Sequence, residues 1–344
     1  MARKKIRVAL AGNPNCGKTT VFNNLTHQWG DVGNYPGVTV EIKTGSVVFG
    51  DYEIEVTDLP GTYSLSAYSQ DELVARNMIV HDQPDVIVNI IDAATLERNL
   101  YLTLQLLELE VPMIVALNMV DVAEQKGFVI DDQALAACLG SPVVRTVGHQ
   151  DEGTGGLLFC IVDLYEGRRQ NQKIHVDYGP EIFDELQHLE RVLLSQPCPR
   201  CRCPVRWLAL KILEQDPWVL EEVSTLKTAE AILQQKEKSR QHLKAHFGEA
   251  PEMVIADRRY GFVSAALKKV RSAAADRYDI SDTVDKVVLN RVLGFPIFAL
   301  VMFAIFKFTF GGSQPFVAAL GSCFEWLARQ ADVLLPAGLV RSFV

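Results

Sequence analysis

A chain of 344 residues with 34 basic and 42 acidic side chains, a formal net charge of −8, has room for about two domains that each bury a core. That balance gives no electrostatic pull toward a polyanion, so no nucleic-acid partner is expected. Seven cysteines are an odd number, scattered except for one cluster, and no secretory leader precedes them, which argues against a disulfide-built extracellular domain.

The stretch MARKKIRVAL is basic and then apolar, but the apolar run is too short for a signal-peptide core. It leads directly into GNPNCGKTT, so residues 6–11 read as the first strand of a cytosolic domain. Gly12, Gly17, Lys18 and Thr19 satisfy G-x-x-x-x-G-K-[ST] between this strand and the helix-competent TVFNNLTHQ. In that context glycines let backbone amides converge on phosphate oxygens, and the helix N-terminus adds partial positive charge. Lys18 is expected to reach the β- and γ-phosphates and Thr19 to ligate Mg²⁺. The loop as a whole, Gly12, Asn13, Pro14, Asn15, Cys16, Gly17, Lys18, Thr19 and Thr20, is the candidate phosphate cradle; the alternative is a glycine-rich turn that binds nothing.

Next comes GNYPGVTVE, followed by two predicted strands, residues 38–49 and 52–58, turning at Gly50-Asp51. Within it Gly37, Val38 and Thr39 stand where a mobile loop brings a hydroxyl to Mg²⁺ in the triphosphate state; Thr39 as a β-branched residue opening a strand is the competing reading. The second strand ends in Asp58-Leu59-Pro60-Gly61. A carboxylate there holds the metal through its water shell, and the Gly61 N–H can sense a γ-phosphate. Residues 86–92 form another apolar strand candidate, and residues 113–118 end in Asn118-Met119-Val120-Asp121. An Asp in N-x-x-D accepts the N1–H and 2-amino protons of guanine, a donor pair adenine lacks, while the Asn amide ties this loop to the phosphate loop. At the C-terminal end of a strand, where ligands of open α/β sheets bind, the motif gains force. A last short strand, residues 143–145, leads to Thr146, Val147 and Gly148, the expected fifth base-contacting loop.

In order and spacing these motifs resemble the small GTP-binding domain of Ras-like and translation-factor-like GTPases, although the Ser/Thr-Ala pair usual in the fifth loop is replaced here by Val147-Gly148. The glutamine that follows D-x-x-G in many of them is Thr62 here, so intrinsic hydrolysis is expected to be slow. A closer resemblance follows from GNPNCGKTT, GNYPGVTVE, DLPGTYSLSAYSQDELVAR and NMVD taken together: the chain is similar to the bacterial FeoB family of ferrous iron transport proteins. It implies a GTPase in which Asn15 assists hydrolysis through K⁺, with Lys18 and Thr39 as the other catalytic residues and Thr19, Thr39 and Asp58 around Mg²⁺. It also implies Fe²⁺ as cargo, small Feo accessory proteins, self-association, and residence in the bacterial inner membrane with the GTPase in the cytoplasm. Asn15 serving only to brace the loop stays open.

From about Gly167 the sequence turns polar and helix-favouring, and apolar spacing of three and four predicts a small helical bundle. By resemblance this is the helical domain that influences GDP release. CPRCRC carries Cys198, Cys201 and Cys203, with His188 as a fourth candidate ligand; the second ligand pair of a zinc or iron–sulfur module is missing, so an exposed turn of reduced thiols competes with a metal or redox role. Residues 292–310 are almost wholly apolar and long enough to cross a bilayer, against the alternative of a buried core helix. Lys286 and Arg291 on its N-terminal side place the preceding domains in the cytoplasm. Residues 314–340 read as an amphipathic interfacial or re-entrant segment. Because one span cannot enclose an ion path, the resemblance implies a further transmembrane domain beyond this chain.

The expected architecture is therefore α/β: a Ras-like P-loop GTPase domain (1–167), an all-α helical domain (168–275) and a membrane-entering segment with a transmembrane helix (276–344). The functional alternative to transport is a membrane-tethered signalling switch that acts by binding a partner.

Overall fold

A computed structural model describes residues 3–27, 31–34, 40–66, 69–195, 203–273, 294–312 and 314–334. Gly37, Val38, Thr39, Cys198, Cys201, Lys286 and Arg291 lie outside the described residues. The chain divides into two compact units, Met1–Ala274 and Ala275–Val344.

The first unit is built on a seven-stranded sheet in the order β2-β3-β4-β1-β5-β6-β8. These strands are β1 (Lys4–Gly12), β2 (Asp31–Asn34), β3 (Glu41–Phe49), β4 (Tyr52–Asp58), β5 (Val86–Asp92), β6 (Met113–Asn118) and β8 (Val143–Arg145). β1 is central and parallel to both β4 and β5, so both of its faces are covered and it reads as the near-continuous apolar run that buried parallel strands require. β4 alternates, with Ile54 and Val56 fully buried between half-buried neighbours. β2 and β3 pair antiparallel at the edge. After β1 the chain goes to the edge strand β2, returns inward through β3 to β4 beside β1, and then crosses to β5 on the other side. The switch point thus falls at the C-terminal end of β1, where open α/β sheets bind ligands.

One sheet face is covered by α1 (Lys18–Thr26) and α6 (Thr154–Tyr165), whose Phe22, Leu25, Leu157 and Ile161 share a core with Ile6, Val8 and Leu10. The other face is covered by α3 (Leu96–Glu108), α4 (Val120–Gln125) and α5 (Asp132–Leu139), with α2 (Gln70–Asn77) at its margin. Its core continues without a break into a helical bundle formed by α7 (Pro180–Leu194), α8 (Val205–Leu213), α9 (Pro217–Ser224), α10 (Ala229–Phe247) and α11 (Pro251–Val270). Pro at the first turn of α7, α9 and α11 and Gly248 in the left-handed C-cap of α10 set these helix ends. Each fully buried Leu or Ile adds roughly 1.5–3 kcal/mol of hydrophobic stabilisation.

Charge also joins bundle to sheet. Arg259 of α11, essentially buried, donates from Nε and Nη2 to the two carboxylate oxygens of Glu108 on α3, each at 3.0 Å, and from Nη1 to Glu214. Glu214 also accepts from Lys211 Nζ at 2.7 Å. Burial opposes the Glu214 charge, but Lys211 and Arg259 outweigh it and hold the carboxyl at about 2, below its ordinary 4.5. A second buried pair, Arg76 of α2 with Asp216 at the α9 cap, spans 2.8 Å. Two short strands absent from the sequence prediction, β7 (Phe128–Ile130) and β9 (Arg271–Ala273), pair antiparallel and return the chain from the bundle to the sheet side. β2 was likewise not predicted as a strand of its own.

In the second unit, α12 (Gly294–Gly312) and α13 (Gln314–Leu334) are helical. The apolar stretch is long enough to cross a membrane, and its side chains face outward, as Phe295 at 79 % and Phe308 at 81 % exposure illustrate. The described helix is Gly294–Gly312; residues 292 and 293 of the predicted 292–310 span lie outside the described residues.

Candidate functional site

Loops at the C-terminal ends of β1, β4, β6 and β8 meet. The loop after β1 turns through left-handed backbone at Asn15 (φ 65°) and Gly17 (φ 86°), and Gly17 caps α1. A Cβ on Gly17 would lie 2.2 Å from Asn118 Nδ2, so close approach as well as φ demands glycine. Asn13 is buried; its Nδ2 donates to the Arg98 carbonyl at 3.2 Å, and its Oδ1 has no partner among the described residues. Asn15 is exposed, and its side chain makes no hydrogen bond among them. Burial raises the Cys16 thiol to about 11, although Lys18 pulls the other way.

Lys18 Nζ stands 2.5 Å from Asp58 Oδ1, and Thr19 Oγ1 donates to Asp58 Oδ2 at 3.2 Å. The ammonium, hydroxyl and carboxylate expected around a metal–triphosphate therefore share one point. The segment carrying Asp58 is stitched to the phosphate loop: Leu59 N–H donates to the Leu10 carbonyl at 3.1 Å and Thr62 N–H to that of Gly12 at 3.2 Å. Gly61 abuts Pro14, where a Cβ would approach within 3.2 Å of its Cα, and Leu59 is buried. Downstream, Ser69 and Glu72 close a capping box on α2.

Asn118, buried at the end of β6, is the clip. Its Nδ2 donates to the Cys16 carbonyl at 2.9 Å, and its Oδ1 accepts from the Gly148 N–H at 3.0 Å and from Thr146 Oγ1 at 3.3 Å. One side chain thereby ties together the loops after β1, β6 and β8. Met119 takes left-handed backbone to start α4, which brings Asp121 to the same mouth. Asp121 Oδ1 is buried without a partner among the described residues. Val147 bridges Glu152, and the Gly148 carbonyl accepts from Asn24 at 2.7 Å. Thr20 lies beside Gly148, whose Cβ would meet its Cγ2 at 3.4 Å.

Among the described residues the loops holding residues 12–20, 58–61, 118–121 and 146–148 come together; Gly37, Val38 and Thr39 lie outside the described residues. The structure adds three residues that motif reading missed. Asn24 and Arg98 brace the loops, and His149 sits 3.7 Å from Asp121. No local signal marks the first two, and His149 was detectable only by its place next to Gly148.

His188 turns to Glu185, its Nδ1 at 3.5 Å, and Cys203 packs partly buried against the core. Among the described residues no group of three or more His, Cys, Asp or Glu side chains is arranged to hold a metal ion. The thiol-and-imidazole arrangement weighed for CPRCRC therefore gains no support from its described members.

Two family models match in tandem: ferrous iron transport protein B over residues 6–160 and the FeoB cytosolic helical domain over residues 178–272. The chain belongs to the FeoB family. Among its relatives, an Fe(2+) transport protein A/Fe(2+) transporter FeoB fusion protein of Porphyromonas gingivalis is 39 % identical, the match covering 98 % of this chain and 41 % of the relative. The Fe(2+) transporter FeoB of Escherichia coli is 40 % identical over 88 % of this chain and 38 % of the relative. The chain thus spans about two fifths of the length of these relatives. Among solved structures, the cytosolic domain of T. maritima FeoB in a GDP form aligns with TM-score 0.66 at 32 % identity, covering 78 % of this chain and 100 % of that one. The cytosolic domain of L. pneumophila FeoB aligns with TM-score 0.67 at 36 % identity, covering 77 % and 99 %. This FeoB chain carries a GTPase-fold domain followed by the family's helical domain.

Proposed function

We propose that this chain is the GTP-binding and GTP-hydrolysing cytoplasmic part of a ferrous iron transporter, with the apolar helix after it entering the bacterial inner membrane. The observation that carries the reading is the clip at Asn118 together with the buried Asp121 Oδ1, which has no partner among the described residues. An acceptor oriented by its own loop and left unpaired is what a guanine N1–H and 2-amino group would satisfy.

Lys18 and the amides of residues 12–20 hold the phosphates. Thr19 and Asp58 fit Mg²⁺, Asp58 through water, as two oxygen donors within 3.2 Å of each other; the metal supplies neutralisation of charge developing on the transferred phosphoryl group. Asn15, exposed and without a hydrogen bond among the described residues, can turn its amide oxygen to K⁺. Thr39, outside the described residues, is assigned to Mg²⁺ by its sequence motif alone. Thr146, Val147 and Gly148 form the base-side wall, with Met119 beneath the phosphate loop. The domain boundaries follow the sequence reading: 1–167 for the GTPase, 168–275 for the helical domain and 276–344 for the membrane-entering segment.

Fe²⁺ is the cargo, and a further transmembrane domain supplies its path. GTP turnover gates or drives that path, with small Feo accessory proteins and self-association as partners. The test is Fe²⁺ uptake by cells producing the full-length protein: Lys18→Ala should abolish both GTP hydrolysis and uptake. Uptake unchanged while hydrolysis is lost would point instead to a membrane-tethered signalling switch.

A further inference from the structure

The loop after β8 is held by α1 as well as by Asn118. α1 starts at Gly17, directly on the phosphate loop, and buries Val21, Phe22 and Leu25 against the sheet. Thr20 and Asn24 lie one turn apart on that helix and share another flank of it. Both meet Gly148 there: a Cβ on Gly148 would come within 3.4 Å of Thr20 Cγ2, and Asn24 Nδ2 donates to the Gly148 carbonyl at 2.7 Å. The Gly148 N–H donates to Asn118 Oδ1 at 3.0 Å. The two peptide groups that meet at Gly148 are therefore gripped by different elements, one by the end of β6 and the other by α1.

Val147 and Gly148 have no polar side chain with which to order their own loop. The loop's backbone offers the Gly148 carbonyl a longer bond, from the Asp151 N–H at 3.3 Å. The turn Gly148–Gln150 carries His149 to within 3.7 Å of Asp121, so the placement of Gly148 sets where this wall stands relative to the carboxylate that faces the base. Hydrogen bonds close a circuit from the phosphate loop along α1 to Asn24, to Gly148 at 2.7 Å, to Asn118 at 3.0 Å and back to the Cys16 carbonyl at 2.9 Å. Opening it at Asn24 leaves Gly148 hydrogen-bonded to the phosphate loop through Asn118 alone.

We infer that Asn24 is a positioning residue for the bound nucleotide: by holding the Gly148 carbonyl it keeps the base-side wall in place and slows nucleotide release. This role rests on the guanine-site reading proposed above. Asn24 acts through Gly148, so it governs how long a nucleotide stays and not the chemistry at the phosphates, where Lys18, Thr19 and Asp58 converge.

The test uses residues 1–274, a compact unit with its own cores whose counterparts in relatives were solved as separate cytosolic domains. Stopped-flow release of N-methylanthraniloyl-GDP should be about fivefold faster in Asn24→Leu, which keeps the bulk and loses the donor. It should be at least as fast in Asn24→Asp, which keeps the shape but sets a carboxylate against the Gly148 carbonyl. Asn24→Gln, which retains an amide donor, should fall between Asn24→Leu and the unsubstituted unit. In each variant KM for GTP should rise while kcat stays within about twofold. Hydrogen exchange over residues 146–152 of the nucleotide-free unit reads the tie itself and should quicken in Asn24→Leu. Urea unfolding verifies that each variant is folded; should Asn24→Asp not fold, Asn24→Leu decides. Release unchanged in the variants, exchange unchanged in Asn24→Leu, or a kcat that falls in step with the faster release would overturn the inference. An unsubstituted unit that holds ADP as firmly as GDP would overturn the guanine reading instead, and release and exchange in Asn24→Leu would still decide whether Asn24 holds the wall.

Discussion

Asn118 holds three loops with one carboxamide, and the structure allows the consequence of losing it to be worked out. In Asn118→Ala the Cys16 carbonyl and the Gly148 N–H lose their partners at 2.9 and 3.0 Å, and Thr146 Oγ1 loses a weaker one at 3.3 Å. Asn118 is buried, so water cannot fully replace it, and a buried orphan costs about 1–3 kcal/mol. With two strong orphans and partial relaxation, a loss of about 3 kcal/mol in unfolding free energy is expected even without nucleotide. Asn118→Asp keeps the shape but sets a carboxylate oxygen against the Cys16 carbonyl, so its loss should be at least as large. Thr146→Val, which removes only the longest bond, should cost about 1 kcal/mol or less. Urea unfolding of residues 1–274 measures these as shifts in midpoint at constant slope. If Asn118→Ala lies within about 1 kcal/mol of the unsubstituted unit, the clip does not hold the loops as described.

Asn15→Ala should leave guanine nucleotide affinity within about threefold, because its side chain makes no hydrogen bond among the described residues, yet remove any acceleration of GTP hydrolysis by K⁺ over Na⁺; equal rates in both salts before substitution would remove the proposed role of Asn15. Cys16, raised to about 11 by burial, should stay a protonated, unreactive thiol at pH 8, so mass spectrometry after iodoacetamide should find it unmodified in the native unit and modified in urea; rapid native labelling would contradict this. Glu214 titrates at about 2 when folded against 4.5 ordinarily. Its contribution to stability, about 3 kcal/mol from that difference, is complete above pH 4.5 and fades as pH falls toward 2. Arg259→Met raises the folded value and should flatten stability against pH in that window while lowering stability at pH 7 by about 3–5 kcal/mol; an unchanged acid profile would refute the coupling.

Much of this was legible in the sequence because its signals are local. Buried parallel strands must be apolar runs, so β1, β5 and β6 announced themselves, β4 showed as an alternating strand, and the phosphate loop and N-x-x-D carry their chemistry within a few residues. What stayed hidden depends on distant pairing. β7 and β9 are three residues each and become strands only because the chain returns after the bundle. β2, Asp-Val-Gly-Asn, has no strand composition and is fixed by register against β3. Arg259 reaches Glu108 across 151 residues, and nothing in the local pattern of α11 distinguishes a buried arginine from a solvated one. The proximity of His149 to Asp121 likewise emerges only when the loops after β6 and β8 are folded together.

The central claim, that the loop after β6 reads guanine, rests on Asp121. Equilibrium binding of GDP, XDP and ADP to residues 1–274, with and without Asp121→Asn, tests it most directly. The account predicts GDP preference in the unsubstituted unit and, in the variant, a loss of GDP affinity of at least about 100-fold, from two charge-assisted bonds at about 1.5–3 kcal/mol each, with XDP now favoured. Unchanged preference for GDP in Asp121→Asn, or comparable ADP binding in the unsubstituted unit, would contradict it.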